Sequence, residues 1–363
     1  MIQNNKITPP HPIYQGINEK ESNRESNYEL LRLLSMVLIL CLHANFQSLG
    51  EPTVTAATAN PVQMFVRVFF QQICEVGVNV FVLISGWFGI RPKKSSFFNL
   101  IFQVFFYSVG LYLLMFLLGD RLPFLKTIQV LWFGSGYWFV PAYIILYVLS
   151  PVINSFIDNS DRSSIVKFLC LYFALELIYG WAFDDFANYD GGYSTISFVG
   201  LYVLARYLRI YKPSIMYWSK GRLMALYFII CSLGALITIL SLLSGITFLA
   251  EHIYGKMLIY TSPFVVVPSL LLVLIFSKIE IKSKSINWLA SSCFAIYLIH
   301  QHLMVRPYYN QACKHIFDNY SGFSYMGIII IFILIVALAS ILIDKVRILC
   351  WSGLKTKLMR NIT

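Results

Sequence analysis

Residues Tyr28–Phe46 read YELLRLLSMVLILCLHANF. Read outward to 28–48, this apolar run makes a helix about 31 Å long, enough to cross a bilayer. Within it sit two strongly polar groups, Arg32 and His43, eleven residues apart. Eleven residues is about three helical turns, so both side chains fall on one face, roughly 16 Å apart along the axis. Ionisable groups inside a span are costly and mark function more often than packing. A neutral imidazole is the usual general base near neutral pH, and a guanidinium fork fits phosphates or carboxylates. The bland alternative for a lone His43 is a buried ring bonded to a carbonyl; Arg32 on the same face favours function.

Similar runs recur along nearly all of the chain. Of 363 residues, 58% are hydrophobic and 12% charged, with mean hydropathy +0.68, whereas soluble domains carry about 25% charged residues. The expected fold class is therefore all-α: a polytopic integral membrane protein. Apolar length and breakers predict ten helices, at 28–48, 66–90, 97–118, 128–150, 164–182, 195–211, 222–247, 257–277, 286–305 and 325–348. The sixth is short. The fourth contains Gly134-Ser135-Gly136 and Pro141, which predicts a break or kink. Residues 1–27, with Pro9, Pro10 and Pro12, read as a disordered cytoplasmic tail without a cleavable signal. Residues 28–350 form the membrane domain, and 351–363 a short basic cytoplasmic tail.

Lys and Arg orient this arrangement. With both termini in the cytoplasm, 22 of the 28 Lys and Arg residues fall in cytoplasmic segments, Arg347 among the tail cations. The net charge of +11 follows from that asymmetry, and no nucleic-acid motif accompanies it, so no nucleic-acid partner is expected. The seven cysteines show no CxxC or Cys/His spacing and read as small packing residues, so no metal is expected.

Other ionisable groups gather around the spans. Glu75 lies inside the second and is free to pair with Arg32 or Arg67, or to orient His43. Gly77 and Gly86 permit close helix contact there. Arg91, Lys93 and Lys94 follow at once. They are either an ordinary positive-inside anchor or a clamp for a phosphorylated donor such as coenzyme A. The loop RYLRIYKPSIMYWSKGR, Arg206 to Arg222, mixes five cations, Arg209 among them, with aromatics. It faces headgroups, or it seats phosphates and stacks an adenine. Glu176 reads as a buried structural carboxylate. His300 and His302, two residues apart, point apart on a helix and make a poor metal pair; His300 is a supporting candidate. The outer loop FDDFANYDGGY, 183–193, is a solvated turn or a carbohydrate-facing lip. Motifs of ATP-driven transport, zinc hydrolysis and serine hydrolysis do not occur.

Five segments in order resemble the membrane-bound acyltransferase family 3. They are Arg32 and His43 with ten residues between them; GVNVFVLISGWF (77–88); YWFVPAYIILYVLSPVI (137–153); LYVLARYLR (201–209); and SSCFAIYLIHQH (291–302). Asn79 stands where an acidic residue often follows the family's Gly-Val, and Arg-Pro-Lys-Lys replaces its usual Arg-rich block. The resemblance implies an O-acetyltransferase of the bacterial inner membrane. It would move an acyl group, usually acetyl, from cytoplasmic acetyl-CoA to a hydroxyl of a surface glycan or lipid-linked sugar. It implies His43 as general base and Arg32 as a ligand of the donor phosphates or a shaper of the entrance; the residues themselves add Glu75 to the catalytic set and Arg91, Lys93, Lys94, Arg206 and Arg209 as donor-binding cations. The competing class is a glycolipid transporter or flippase without acyl transfer.

Overall fold

The computed structural model describes residues 25–360 except 132–135 and 184–186. The expected N-terminal tail up to residue 24 lies outside the described residues, as does the Gly134-Ser135 part of the fourth-span break. Every described regular element is a helix. The principal ones are α1 (Ser26–Leu42), α2 (Pro61–Glu75), α3 (Gly77–Phe88), α4 (Lys94–Leu117), α5 (Phe139–Asn159) and α6 (Arg162–Leu175). The remainder are α7 (Thr195–Tyr211), α8 (Lys220–Leu243), α9 (Pro263–Phe276), α10 (Cys293–His300), α11 (Arg306–Asn319) and α12 (Gly322–Arg360).

Among the described residues, seven helical stretches are long and apolar enough to cross a membrane. They match seven of the ten expected spans. The other three are α7, α9 and α10, of 17, 14 and 8 residues. Phe198 and Tyr202 of α7, Val265 and Leu271 of α9, and Ala295 and Leu298 of α10 are fully enclosed by protein. A helix walled by protein has its loose backbone ends satisfied by neighbours, so it need not match the full hydrocarbon thickness. The fourth expected span is broken into a short helix at Phe124–Leu131 and α5, which begins two residues before Pro141. The ninth is likewise split, between Lys284–Ala290 and α10. α12 continues to Arg360, past the expected end at 348.

α1 is the central strut. It packs against α2, α3, α9, α10, α12 and the 284–290 helix. Gly77 explains one close contact: a Cβ there would meet Ser35 O at 2.9 Å and Ile39 Cγ1 at 2.8 Å. Gly86 does the same for α3 on α7, where a Cβ would collide with the backbone of Tyr202.

The segments that the Lys/Arg count places on one side meet at one end of the bundle. Arg209 pairs with Glu25 at 2.8 Å, Ser26 Oγ accepts from Ser283 N at 3.0 Å, and Asn27 donates to Phe276 O at 2.9 Å. The segments assigned to the other side meet at the opposite end. There Arg67 donates to Gly50 O at 2.7 Å, Trp181 to Lys256 O at 2.8 Å, and Tyr308 to Asp120 at 2.8 Å. Arg347 is a correction to that count. It is not a surface anchor but a buried residue, 2% exposed, with its guanidinium on Asp344 at 2.6 Å.

Candidate active site

α1 ends in a π-helical turn, His43–Gln47. Such a turn rephases the helix and is frequent at functional sites. Ser48 Oγ donates to His43 O at 2.7 Å, which satisfies a carbonyl freed by the irregular turn. The His43 ring turns into the bundle and meets α10, where its Nδ1 lies 2.9 Å from His300 Nε2.

The hydrogen bonds fix the protons of this pair. His300 Nδ1 lies 2.5 Å from Ile296 O, and a carbonyl only accepts, so Nδ1 carries hydrogen. In the neutral ring Nε2 is then a lone pair, and His43 Nδ1 must donate to it. His43 Nε2 is left unprotonated, and among the described residues it has no partner. His300 is 1% exposed and stands behind His43, held by the ring of Tyr309 at 5.4 Å; Tyr309 itself donates to Leu40 O at 2.8 Å. His302 turns the other way, toward Ser108 O at 3.2 Å.

His43 lines a narrow cavity of about 20 Å³, room for little more than one water. Met36 and Ile39 of α1 share its wall with Val78 and Phe81 of α3. Phe139 at the start of α5 and Trp138 just before it close the cavity on one side, Phe294 and Tyr297 of α10 and Tyr260 of the turn before α9 on the others. The lining is mostly apolar and aromatic, which suits a reaction that must exclude water. Trp138 sits 4.4 Å from the Tyr193 ring and 5.5 Å from Tyr260. Tyr193 thus brings the described end of the 183–193 loop against the cavity roof. Asn79, at the position where an acidic residue often stands, donates to Tyr260 O at 2.9 Å and ties α3 to that roof.

Arg32 shares the α1 face of Met36 and His43, three turns nearer the cationic end, and pairs with Glu29 at 2.9 Å. Glu75 meets neither Arg32 nor His43. It accepts from Gln71 Nε2 at 2.9 Å and lies beside the Tyr260 hydroxyl. Gln71 Oε1 in turn accepts from Asn45 at 3.1 Å, and Asn45 Oδ1 from Arg67 Nε at 3.2 Å. Glu176 is buried against Ser197.

The five expected donor-binding cations divide. Arg91 and Arg206 share a pocket of about 280 Å³ with Gly89, Asn154 and Asp158. Gly89, at φ +73°, lets the chain turn sharply beside the Arg206 guanidinium, 3.4 Å from where a Cβ would stand. Lys93 and Lys94 line an adjoining hollow with Phe97 and Tyr147. Arg209 is apart, paired with Glu25 and lying over the rings of Trp87 and Phe88 at 5.3 and 5.1 Å. A seam between α3 and α5 runs from the Arg91–Arg206 pocket to the His43 cavity. Along it Asn154 donates to Ile90 O at 2.8 Å, Ser85 meets Tyr143 at 3.1 Å, and Phe81 meets Phe139 edge-on.

A family model described as an acyltransferase domain matches residues 25–344. The chain belongs to membrane-bound acyltransferase family 3. Neither a curated protein nor a solved structure matches it. In this acyltransferase every residue of the cavity, the seam and the cationic pocket lies inside the matched region. Sequence reading overlooked Tyr260 and Trp138 as cavity residues. Trp138 stood inside a quoted motif, but Tyr260 was read as part of the eighth span, 257–277, and lies instead in the turn before α9, which begins at Pro263.

Proposed function

We propose that this membrane acyltransferase transfers an acetyl group from acetyl-CoA to a hydroxyl of a surface glycan or lipid-linked sugar, in a bacterial inner membrane with its cationic end in the cytoplasm. The observation that carries this is one open imidazole nitrogen, His43 Nε2, facing an aromatic cavity in a chain of an acyltransferase family.

Coenzyme A phosphates rest on Arg91 and Arg206, with Lys93 and Lys94 alongside. The pantetheine arm follows the α3–α5 seam toward His43. From Gly89 to Phe81 is eight residues of helix, about 12 Å, well within the reach of such an arm. Arg32 stands on the cavity face at the donor side, and Arg209 serves as an anchor of the chain start rather than as a phosphate ligand. Glu75 and its amide partners shape the acceptor side.

The acceptor hydroxyl gives its proton to His43 Nε2 as its oxygen attacks the thioester carbonyl. The new C–O bond forms, the C–S bond breaks, and the departing thiolate takes the proton back from Nε2. While His43 is cationic, its Nδ1–H remains donated to His300 Nε2, a charge-assisted bond that favours the charged form. His300 thereby does for His43 what an aspartate does in a catalytic triad, but without a charge.

Purified protein given radiolabelled acetyl-CoA and an acceptor glycan tests this. Label should move to the glycan with wild type, and fall by about 10²–10⁴-fold with His43→Ala while insertion and helicity persist. A flippase would move no label, and full activity in His43→Ala would remove that ring from the mechanism.

A further inference from the structure

Acyl transfer at His43 develops a second charge. As the acceptor oxygen bonds to the thioester carbon, the carbonyl electron pair moves onto its oxygen. Hydrogen-bond donors fixed in advance at that oxygen are usually the largest single source of rate. Three polar side chains line the cavity besides His43: Trp138, Tyr260 and Tyr297. The Tyr260 hydroxyl is held between Glu75 and Tyr193, and Trp138, half-buried, stacks on the Tyr260 ring.

Tyr297 differs from both. It is 6% exposed, and its hydroxyl lies against the backbone amide of Phe139, the first residue of α5. An amide N–H only donates, so the phenol oxygen accepts there and its own hydrogen is directed elsewhere. Among the described residues nothing accepts that hydrogen, and the side chain opens on the cavity it shares with His43. A space that holds one water holds one carbonyl oxygen.

The phenol is also fixed and polarised. The rings of Tyr137, Phe294 and Phe139 flank it at 5.7, 6.0 and 6.1 Å. Tyr137 donates to Leu298 O at 2.6 Å and so pins the backbone of the next residue. α5 is 21 residues long, and the positive end of its dipole lies at Phe139. Val140 N–H is taken by Tyr137 O at 3.0 Å and Pro141 has none, which leaves the Phe139 amide to face the phenol. An oxygen that accepts from an amide is a stronger donor through its own hydrogen. Three residues further along α10, on the same face, stands His300. One short helix therefore carries both the support of the base and this hydroxyl.

We propose that Tyr297 is a second catalytic residue: its hydroxyl donates to the thioester carbonyl oxygen and holds the oxyanion while His43 carries the acceptor's proton. The phenol keeps its own proton throughout. The carbonyl pair moves onto oxygen as the C–O bond forms and returns as the C–S bond breaks, and the thiolate leaves with the proton from His43. This rests on the acyl-transfer reading above and adds the group that stabilises the intermediate.

The full chain in nanodiscs, given labelled acetyl-CoA and acceptor glycan, is compared with Tyr297→Phe, which deletes one oxygen and keeps the ring. The variant's kcat should fall about 10²–10³-fold, with KM for either substrate within about threefold of wild type. Infrared spectra of bound acetyl-CoA, isotopically labelled at the carbonyl, give a second readout that counts only folded, donor-loaded protein. In wild type the carbonyl stretch should lie below that of free acetyl-CoA, and in Tyr297→Phe it should return to the free value. A variant kcat within about threefold of wild type would overturn the proposal and leave acyl transfer standing. So would a loss confined to KM, which makes Tyr297 a binding residue, or a fall in kcat with the carbonyl stretch unmoved, which makes it a packing residue. No transfer by wild type would instead defeat the acyl-transfer reading.

Discussion

Two buried polar clusters in this bundle differ in one respect. In the α4–α12 cluster, Asp344 Oδ1 accepts from Arg347 Nε at 2.6 Å, Tyr107 at 2.9 Å and Gln103 at 3.3 Å. Its Oδ2 accepts from Arg347 Nη2 at 3.1 Å, and Arg347 Nη1 donates to Asn99 at 3.0 Å. That cluster is closed: its charges cancel, both carboxylate oxygens are bonded, and it lines none of the cavities described above. The His43–His300 pair is a chain with a free end. Each bond from Ile296 O outward fixes the next, and the last nitrogen meets empty space. Burial of a polar group therefore does not by itself mark chemistry. An unfilled lone pair beside a cavity does.

Substitutions at the two clusters should separate activity from stability. The largest effect is expected from His43→Ala, with transfer down about 10²–10⁴-fold and an unfolding transition close to wild type, by activity assay and thermal melt. Asp344→Ala should do the reverse. Removing one member of a buried pair leaves the other charge stranded, a loss of about 3–5 kcal/mol. The melt should drop sharply while activity per folded molecule holds; Asp344→Leu combined with Arg347→Leu should recover part of the stability. A smaller effect is expected at His300. His300→Phe removes the acceptor for His43 Nδ1–H and should cost roughly 10²-fold in kcat. His300→Gln can accept that hydrogen through its side-chain oxygen and should recover much of the loss; equal rates for the two variants would show that the ring only fills space. The smallest effect belongs to the cationic pocket. Arg206→Ala should raise KM for acetyl-CoA about tenfold, as for the loss of one charge-assisted hydrogen bond, with kcat little changed.

The clusters were unequally legible in the sequence. Arg32 and His43 could be placed on one face because a helix repeats every 3.6 residues, whatever surrounds it. His300 could be assigned only a supporting role. Its partner lies 257 positions away, and periodicity is silent about which helix stands opposite. Asp344 and Arg347 sit three apart, a spacing equally suited to a solvent-facing pair, so Arg347 read as a tail cation. Glu75 had three candidate partners, and its actual neighbour proved to be Gln71, one turn before it. Arg209 looked like its neighbour Arg206 but pairs with Glu25; residues three apart lie on nearly the same helix face, so only the chain packed beside each one separates them.

By itself the sequence determined what depends on chain chemistry alone: an all-helical membrane body and the place of its seven long apolar helices. Lipid rewards apolar length and penalises charge without regard to neighbours. The tertiary structure decided everything that depends on which helices meet. It shortened α7, α9 and α10 inside a protein wall, set His300 behind His43 so that one nitrogen stays open, and bound Arg67 to Asn45 and the Gly50 carbonyl. Hydrogen bonds and cavities belong to pairs of surfaces, and no single surface carries the address of its partner.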